Sequence, residues 1–146
     1  MRNHALRTMM MISILMVISA LTVHAQAGSS FVVKVPFDFT LSGKTLPAGQ
    51  YTVSLSTQGS SDGLMIRNQE RGAYVQTKLV QIRDRQEETQ VIFRRYGEQY
   101  FLFQIWISGR STGREVFKST REQKLERALA QSAKKPETVA ILGQPR

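Results

Sequence analysis

The sequence predicts a mainly β protein, an antiparallel meander that forms a small barrel or a two-layer sandwich, with one C-terminal α-helix and a final short strand. Every odd position from Phe31 to Leu41 is apolar. Because side chains of a strand alternate between two faces, this pattern places one apolar face on a core. Further strand-like runs follow at intervals of roughly 10 to 15 residues with hairpin-type turns between them, as in all-β domains.

The opening segment predicts two strands joined by turns. Pro36 lies at an outward position of the first strand and has no N–H to donate, which predicts an edge strand or a β-bulge there. Residues 42–45 and 46–49 contain the Gly and Pro of two successive turns. The run 50–57 then alternates cleanly between apolar and polar residues and predicts the second strand.

Two further strands are predicted in the middle of the chain, at 64–68 and 73–83. The second of these changes phase, because its apolar residues move from one face to the other at Leu79 and Val80. A β-bulge inserts one residue and would restore the register at that point.

A hairpin around Gly97 is predicted from the strands 90–96 and 100–107. Its second arm is apolar on both faces, which is typical of a strand that is covered on both sides. One face holds Phe101, Phe103, Ile105 and Ile107, and the other holds Tyr100, Leu102 and Trp106.

A helix at about 119–134 is the predicted cover for this strand. Ser119 and Glu122 have the spacing of a capping box, in which the Ser hydroxyl accepts from the N3 amide and the Glu reaches back to the cap N–H. Pro136 ends the helix, and 138–142 is an apolar run that predicts a closing strand.

Residues 1–25 have the pattern of a secretory signal peptide. Arg2 and Arg7 precede an apolar run from Met9 to Val23, and cleavage is expected after Ala25. The alternative is a retained membrane anchor, but this run is shorter than the roughly 20 apolar residues of a spanning helix. We therefore expect a single β-rich domain over 26–142, a short tail over 143–146, and a mature form that does not span a membrane.

Charge and composition restrict the function. Lys and Arg number 20 against 11 Asp and Glu, a formal charge of +9, and without Arg2 and Arg7 the 18 remaining cations leave +7. A basic surface favours anionic partners, and export makes an envelope component more plausible than nucleic acid. The chain has no Cys, and both histidines precede the expected cleavage point. Ser-His-Asp triads and His/Cys zinc sites are thereby excluded from the mature form, and no enzyme activity, metal or cofactor is expected.

Two sets of residues are candidate binding sites, each with a simpler structural alternative. Tyr100, Leu102 and Trp106 would line a cavity for a small apolar ligand, unless the helix packs against them. Arg94 and Arg95 would grip an anion, unless they lie along an exposed strand face.

Several motifs together resemble a family of small exported bacterial β-proteins of unknown function. They are VPFDF at 35–39, a Gly-Lys turn, LPAGQYTV at 46–53, RYGEQYFL at 95–102 and the Lys-Ser-x-x-Glu helix start at 118–122. The resemblance implies export and a mainly β fold, and it carries no catalytic or binding residue. We expect an exported, periplasmic or extracellular, non-enzymatic protein with a binding or structural role. The alternative is a small-barrel carrier of an apolar ligand.

Overall fold

The computed structural model describes residues 30–56, 63–82 and 84–145. The predicted signal peptide and its cleavage point lie outside these residues. Within them the chain forms ten strands and one helix. These are β1 (Ser30–Val35), β2 (Phe39–Leu41), β3 (Lys44–Leu46), β4 (Gly49–Ser56), β5 (Gly63–Arg67), β6 (Gly72–Gln81), β7 (Gln90–Tyr96), β8 (Gln99–Trp106), β9 (Thr112–Val116), α1 (Thr120–Gln131) and β10 (Glu137–Pro145).

Eight strands close into an antiparallel barrel in the order β1-β4-β5-β6-β9-β8-β7-β10, with β10 returning to β1. The hairpin of β2 and β3 lies beside the barrel, and β2 runs parallel to the start of β8. The predicted fold class is confirmed, and of its two architectures the barrel is the one present. The strand order follows a meander through β4, β5 and β6 and departs from it where β10 enters between β1 and β7.

The final strand is longer than the sequence pattern suggests. β10 pairs with β7 from Glu137, which lies opposite Arg95, and with β1 as far as Pro145, which lies opposite Phe31. Residues 143–145 therefore belong to the closing ladder, so their assignment to a tail is wrong. Gly143 is required in this ladder because the Phe31 ring occupies the place of a side chain there, 2.6 Å from where a Cβ would stand.

The barrel interior is filled by apolar side chains. Each of the eight barrel strands contributes at least one side chain to this core or to the layer packed against it, and β2 and β3 add more. Burial of this apolar surface is the main stabilising term of the fold. The largest side chains that are fully buried are Tyr51, Phe39, Phe93, Phe101, Leu41, Leu64, Ile66, Ile105, Val33, Val35, Val53 and Val91.

The predicted long strand from Phe31 to Leu41 is divided at Pro36. β1 ends at Val35, and β2 begins at Phe39 with different neighbours. β1 lies between β4 and β10, so the prediction of an edge strand is wrong. Proline still has the effect expected from its missing N–H, because the chain leaves one ladder there and enters another.

The phase change in β6 has a different cause from the predicted β-bulge at Leu79 and Val80. β6 pairs with β5 through Gln76 and with β9 from Thr77, and each ladder is continuous. The strand thus changes neighbours without an inserted residue, and the predicted bulge is wrong. Instead, the register shifts in the β7–β8 hairpin, where Phe103 has no partner opposite it.

The helix begins as predicted. Ser119 is its N-cap, and its Oγ accepts a hydrogen bond from the Glu122 N–H at 3.2 Å. α1 ends at Gln131, three residues before the expected end, and Ala133 follows in the left-handed region with φ of 52°. No helix in the described part of the chain has the length and hydropathy that a membrane span requires.

Candidate functional site

The three residues predicted to line an apolar cavity do not share one face of β8. Leu102 belongs to the barrel core and is 2% exposed. Tyr100 packs against the same core and stacks on Phe37, with ring centroids 3.8 Å apart. Trp106 is buried but lies outside this core cluster. The expectation of a common face is wrong because the bulge at Phe103 reverses the alternation between Leu102 and Trp106.

Trp106 is held by its neighbours on β8 and β9. Its ring covers Gly113, where a Cβ would stand 2.6 Å from the ring edge. Its indole N–H donates to Gln104 Oε1 at 3.2 Å, and the Gln104 amide donates to Glu115 at 2.7 Å. Burial acts to raise the pKa of Glu115, but the hydrogen bonds from Lys78 and Gln104 and the charges of Lys78 and Arg94 together lower it below its ordinary value. Trp106 thus closes the outer layer of this part of the barrel.

The two arginines predicted to bind an anion point to opposite sides of β7. Arg95 donates to the Gly97 carbonyl at 2.7 Å and forms ion pairs with Glu98 at 3.2 Å and Glu137 at 3.3 Å. Arg94 pairs instead with a carboxylate of α1. The structure therefore does not bring the two guanidinium groups together around one point.

Arg94 belongs to a cluster between β7, β8 and α1. Its Nη1 lies 3.6 Å from Glu122 Oε1, and its Cζ lies 3.5 Å from the centre of the Phe103 ring, a cation–π contact. The Tyr96 hydroxyl donates to the same Glu122 oxygen at 3.4 Å, and the Tyr96 ring packs edge-on against Phe101. These contacts attach α1 to the barrel.

Glu122 is the buried residue of α1, with 4% of its surface exposed. Burial raises the pKa of its carboxyl group, while the Arg94 charge acts in the opposite direction. Burial, and next the Glu122 charge, raise the pKa of Tyr96 to about 12. Both pKa values are thus raised, and the pair lies beneath a helix rather than in an open cleft.

The outward side of α1 is positively charged. Arg121, Lys124 and Arg127 follow one another at three-residue intervals and are exposed. Lys134 and Lys135 follow the helix and are also exposed. We call these five residues the basic face. The carboxylates of the helix do not neutralise it locally, because Glu122 faces the barrel and Glu126 pairs with Lys118 at 2.6 Å.

A shallow open groove of about 660 Å³ lies on the outside of β4 and β5. Its floor contains Thr52 and Arg67, which face each other across the two strands. Its walls are the loop before β4 and the turn after β5. The lining is mainly polar and consists of Pro47, Ala48, Gln50, Thr52, Arg67, Asn68, Gln69 and Glu70.

Both walls of the groove are fixed by hydrogen bonds. The Ala48 N–H donates to Asp38 at 2.8 Å, and the Tyr51 hydroxyl donates to the Pro47 carbonyl at 2.6 Å. On the other side, Asn68 Oδ1 accepts from the Glu70 N–H at 3.0 Å and the Arg71 N–H at 2.6 Å. The groove is therefore preformed, which reduces the entropy lost when a ligand binds.

In the described ranges, no group of three or more His, Cys, Asp and Glu side chains is placed to hold a metal ion. Comparison of the chain with protein-family models, with curated proteins and with solved structures finds no match. Function is therefore inferred from the chemistry of the surfaces.

Proposed function

We propose that this is an exported, non-enzymatic binding protein that attaches through its basic face to an anionic component of the cell envelope or extracellular space. The observation that supports this most directly is the separation of charge on α1. Lys124 and Arg127 are exposed on the helix, Arg121 is exposed and donates to Gln99 of β8, two more cations follow the helix, and its carboxylates are turned inward or paired.

The exposed cations of such a face contribute binding free energy at an anionic surface. A Lys or Arg near a negatively charged membrane surface contributes about 1 kcal/mol, and the contribution falls within a Debye length of about 8 Å at physiological salt. α1 has 12 residues and is thus about 18 Å long, and Lys124 and Arg127, three residues apart, are neighbours on its surface. Attachment by this face is expected to be strong at low salt and weak at high salt.

Export is part of this proposal. It is supported by the signal-peptide pattern of residues 1–25 and by the family that the motifs resemble. N-terminal sequencing of the protein from culture fractions should give Gln26 as the first residue. A chain that still begins with Met1 in the exported fractions would contradict this part of the proposal.

A carrier of an apolar ligand is the alternative, and a barrel fold is compatible with it. A carrier barrel needs an internal space, as in the small barrels that hold one ligand. Here the core is occupied by side chains from all around the barrel, among them Tyr51 and Phe93, both 0% exposed. Binding on the outer surface therefore accounts better for the arrangement of residues.

The test is a pair of variants with equal charge. One removes four cations from the basic face, K124Q/R127Q/K134Q/K135Q, and the control removes four exposed cations elsewhere, K34Q/K44Q/R71Q/R85Q. Binding is measured by co-sedimentation with phosphatidylglycerol vesicles and with insoluble polyuronate gel, each at low and at high salt.

The basic-face variant should lose affinity by a factor of about 1000 at low salt, because four contributions of about 1 kcal/mol are removed and each 1.4 kcal/mol is tenfold. The control should retain most of the affinity, and whichever of the two materials binds identifies the kind of anion. Equal losses in both variants, or no binding of the wild-type protein at low salt, would contradict the proposal.

A further inference from the structure

The outward face of β4, β5 and β6 forms a strip that continues from the groove. Its rows follow from the strand register: Thr52 faces Arg67, Ser54 faces Met65, which in turn faces Tyr74, and Ser56 faces Gly63, which faces Gln76. From Gln50 to Ser56 the strip extends about 20 Å along the strands. We call it the β4–β6 face, with the exposed or half-buried side chains Gln50, Thr52, Ser54, Ser56, Met65, Arg67, Tyr74 and Gln76.

Tyr74 lies across the surface of this face. Its ring occupies the space above Gly63, where an added Cβ would stand 2.5 Å from two of the ring carbons. Even so, 51% of Tyr74 is exposed, and its neighbour Met65 is 38% exposed. The ring thus rests on the backbone of β5, where the missing side chain of Gly63 makes room for it, and presents apolar surface to solvent.

Apart from Met65 and Arg67, the side chains of the β4–β6 face near Tyr74 are uncharged hydrogen-bonding groups. Ser54 lies in the row of Tyr74, Ser56 and Gln76 lie in the row of Gly63 over which the ring extends, and Thr52 and the cation Arg67 lie in the row on the other side. A flat apolar platform bordered by hydroxyl and amide groups matches the chemistry of a pyranose ring. Such a ring has one face of C–H groups and a rim of hydroxyl groups, which donate and accept hydrogen bonds.

We propose that the β4–β6 face binds a linear chain of pyranose sugars. One sugar ring stacks on Tyr74, and the chain extends along the strands to the groove, where Gln50, Thr52 and Arg67 contact its hydroxyl or carboxylate groups. The fixed walls of the groove and the supported ring make the site preformed. This site is separate from the basic face and does not depend on it.

The experiment uses two probes on the mature protein, a hexamer of β-1,4-linked glucose and a hexamer of mannuronate. Backbone amide shifts in NMR spectra locate the binding, and titration gives the dissociation constant. Shifts are expected at Thr52, Arg67, Met65 and Tyr74 with at least one probe. Binding of both probes assigns recognition to the ring and hydroxyl groups, and binding of the mannuronate hexamer alone assigns part of it to Arg67.

Three variants separate recognition from folding. Y74A should raise the dissociation constant about tenfold, a loss of about 1.4 kcal/mol, because the C–H face of the sugar ring loses the aromatic surface on which it stacks. Y74F keeps the ring on Gly63 and should stay within about twofold of the wild type. The control L142A removes a side chain on β10 that is 56% exposed, against 51% for Tyr74, and should have no effect.

Two results would overturn the proposal: no shifts on the β4–β6 face with either hexamer, or a Y74A variant that is folded and binds as tightly as the wild type. In the second case Tyr74 would only cover Gly63. Shifts confined to α1 would also overturn it while leaving the function proposed for the basic face in place.

Discussion

The barrel interior and the contact beneath α1 are stabilised by different forces. The interior buries apolar side chains from all around the barrel, with Phe93 packed edge-on against Phe37 and Phe39. The contact beneath α1 is built around the carboxylate of Glu122, which meets Arg94 and Tyr96. Apolar burial is non-directional, whereas the polar contact depends on charge, geometry and protonation.

Because of this difference, the barrel and the docked helix should lose stability independently of each other. Loss of a core side chain reduces the stability of the whole barrel, because each barrel strand packs on the same core. Loss of one polar partner beneath α1 should release the helix from the barrel. The barrel itself should stay folded, because α1 takes no part in the strand pairing that closes it.

The largest effect is expected from F93A. Phe93 is 0% exposed and lies between two other rings, so its removal should lower the free energy of unfolding by about 3 to 5 kcal/mol. Chemical denaturation followed by circular dichroism measures this loss. The control M65A, on the outer face, should change it by about 0.5 kcal/mol or less. Equal effects of the two variants would show that the interior is not a single packed core.

A smaller and local effect is expected from R94M. It keeps much of the side-chain volume but leaves Glu122 buried without its cation, which should destabilise the docked helix by about 2 kcal/mol. Hydrogen exchange should quicken in α1 and stay unchanged in the core strands. R94M/E122L, which removes both charges, should restore much of the protection. Faster exchange throughout the barrel would mean that helix and barrel unfold as one unit.

The cap of the helix should have a still smaller effect. S119A removes the hydroxyl that accepts from the Glu122 N–H, at a cost of about 1 kcal/mol. The matched control S132A alters an exposed serine at the other end of α1 and should cost less. Hydrogen exchange of the first turn measures both, and indistinguishable rates in S119A and wild type would refute a role for the cap.

The smallest effect is a dependence on pH. Burial raises the pKa of Glu122 in the folded state above its ordinary value of 4.5. The protonated carboxyl group therefore stabilises the fold fully at pH values below 4.5, and this stabilisation is lost as the pH rises through the raised pKa. The melting temperature of wild type relative to E122Q should therefore fall as the pH is raised from about 4 to 7. A relative rise over this range would mean that the Arg94 charge outweighs burial.

The strands were predictable because alternation is a local property. Alternation predicts β4, the turn at Gly97 and an arm that is apolar on both faces predict β7 and β8, and the spacing to Glu122 predicts Ser119 as a cap. The neighbours of each strand were not predictable, since a sequence does not state where β10 is inserted. The division at Pro36 and the change of partner within β6 follow from that pairing.

The candidate sites were harder to predict for the same reason. The unpaired Phe103 shifts the alternation of β8, and this separated Leu102 from Trp106. The capping box suggests a local partner for the Glu122 side chain, yet Tyr96 and Arg94 reach it from β7. The basic face, by contrast, was partly open to prediction, because Lys124 and Arg127 fall outside the apolar stripe of Leu125, Ala128 and Leu129.

The position of β10 has a consequence for the timing of folding. The ring of strands stays open between β1 and β7 until Glu137–Pro145 has been synthesised. Up to that moment the nascent chain presents two unpaired strand edges, which can pair with other chains. Closure also joins residues more than 100 positions apart, as in the pairing of Phe31 with Pro145, and such long-range contacts form slowly. A protein of this topology benefits from being kept unfolded until its last strand is available.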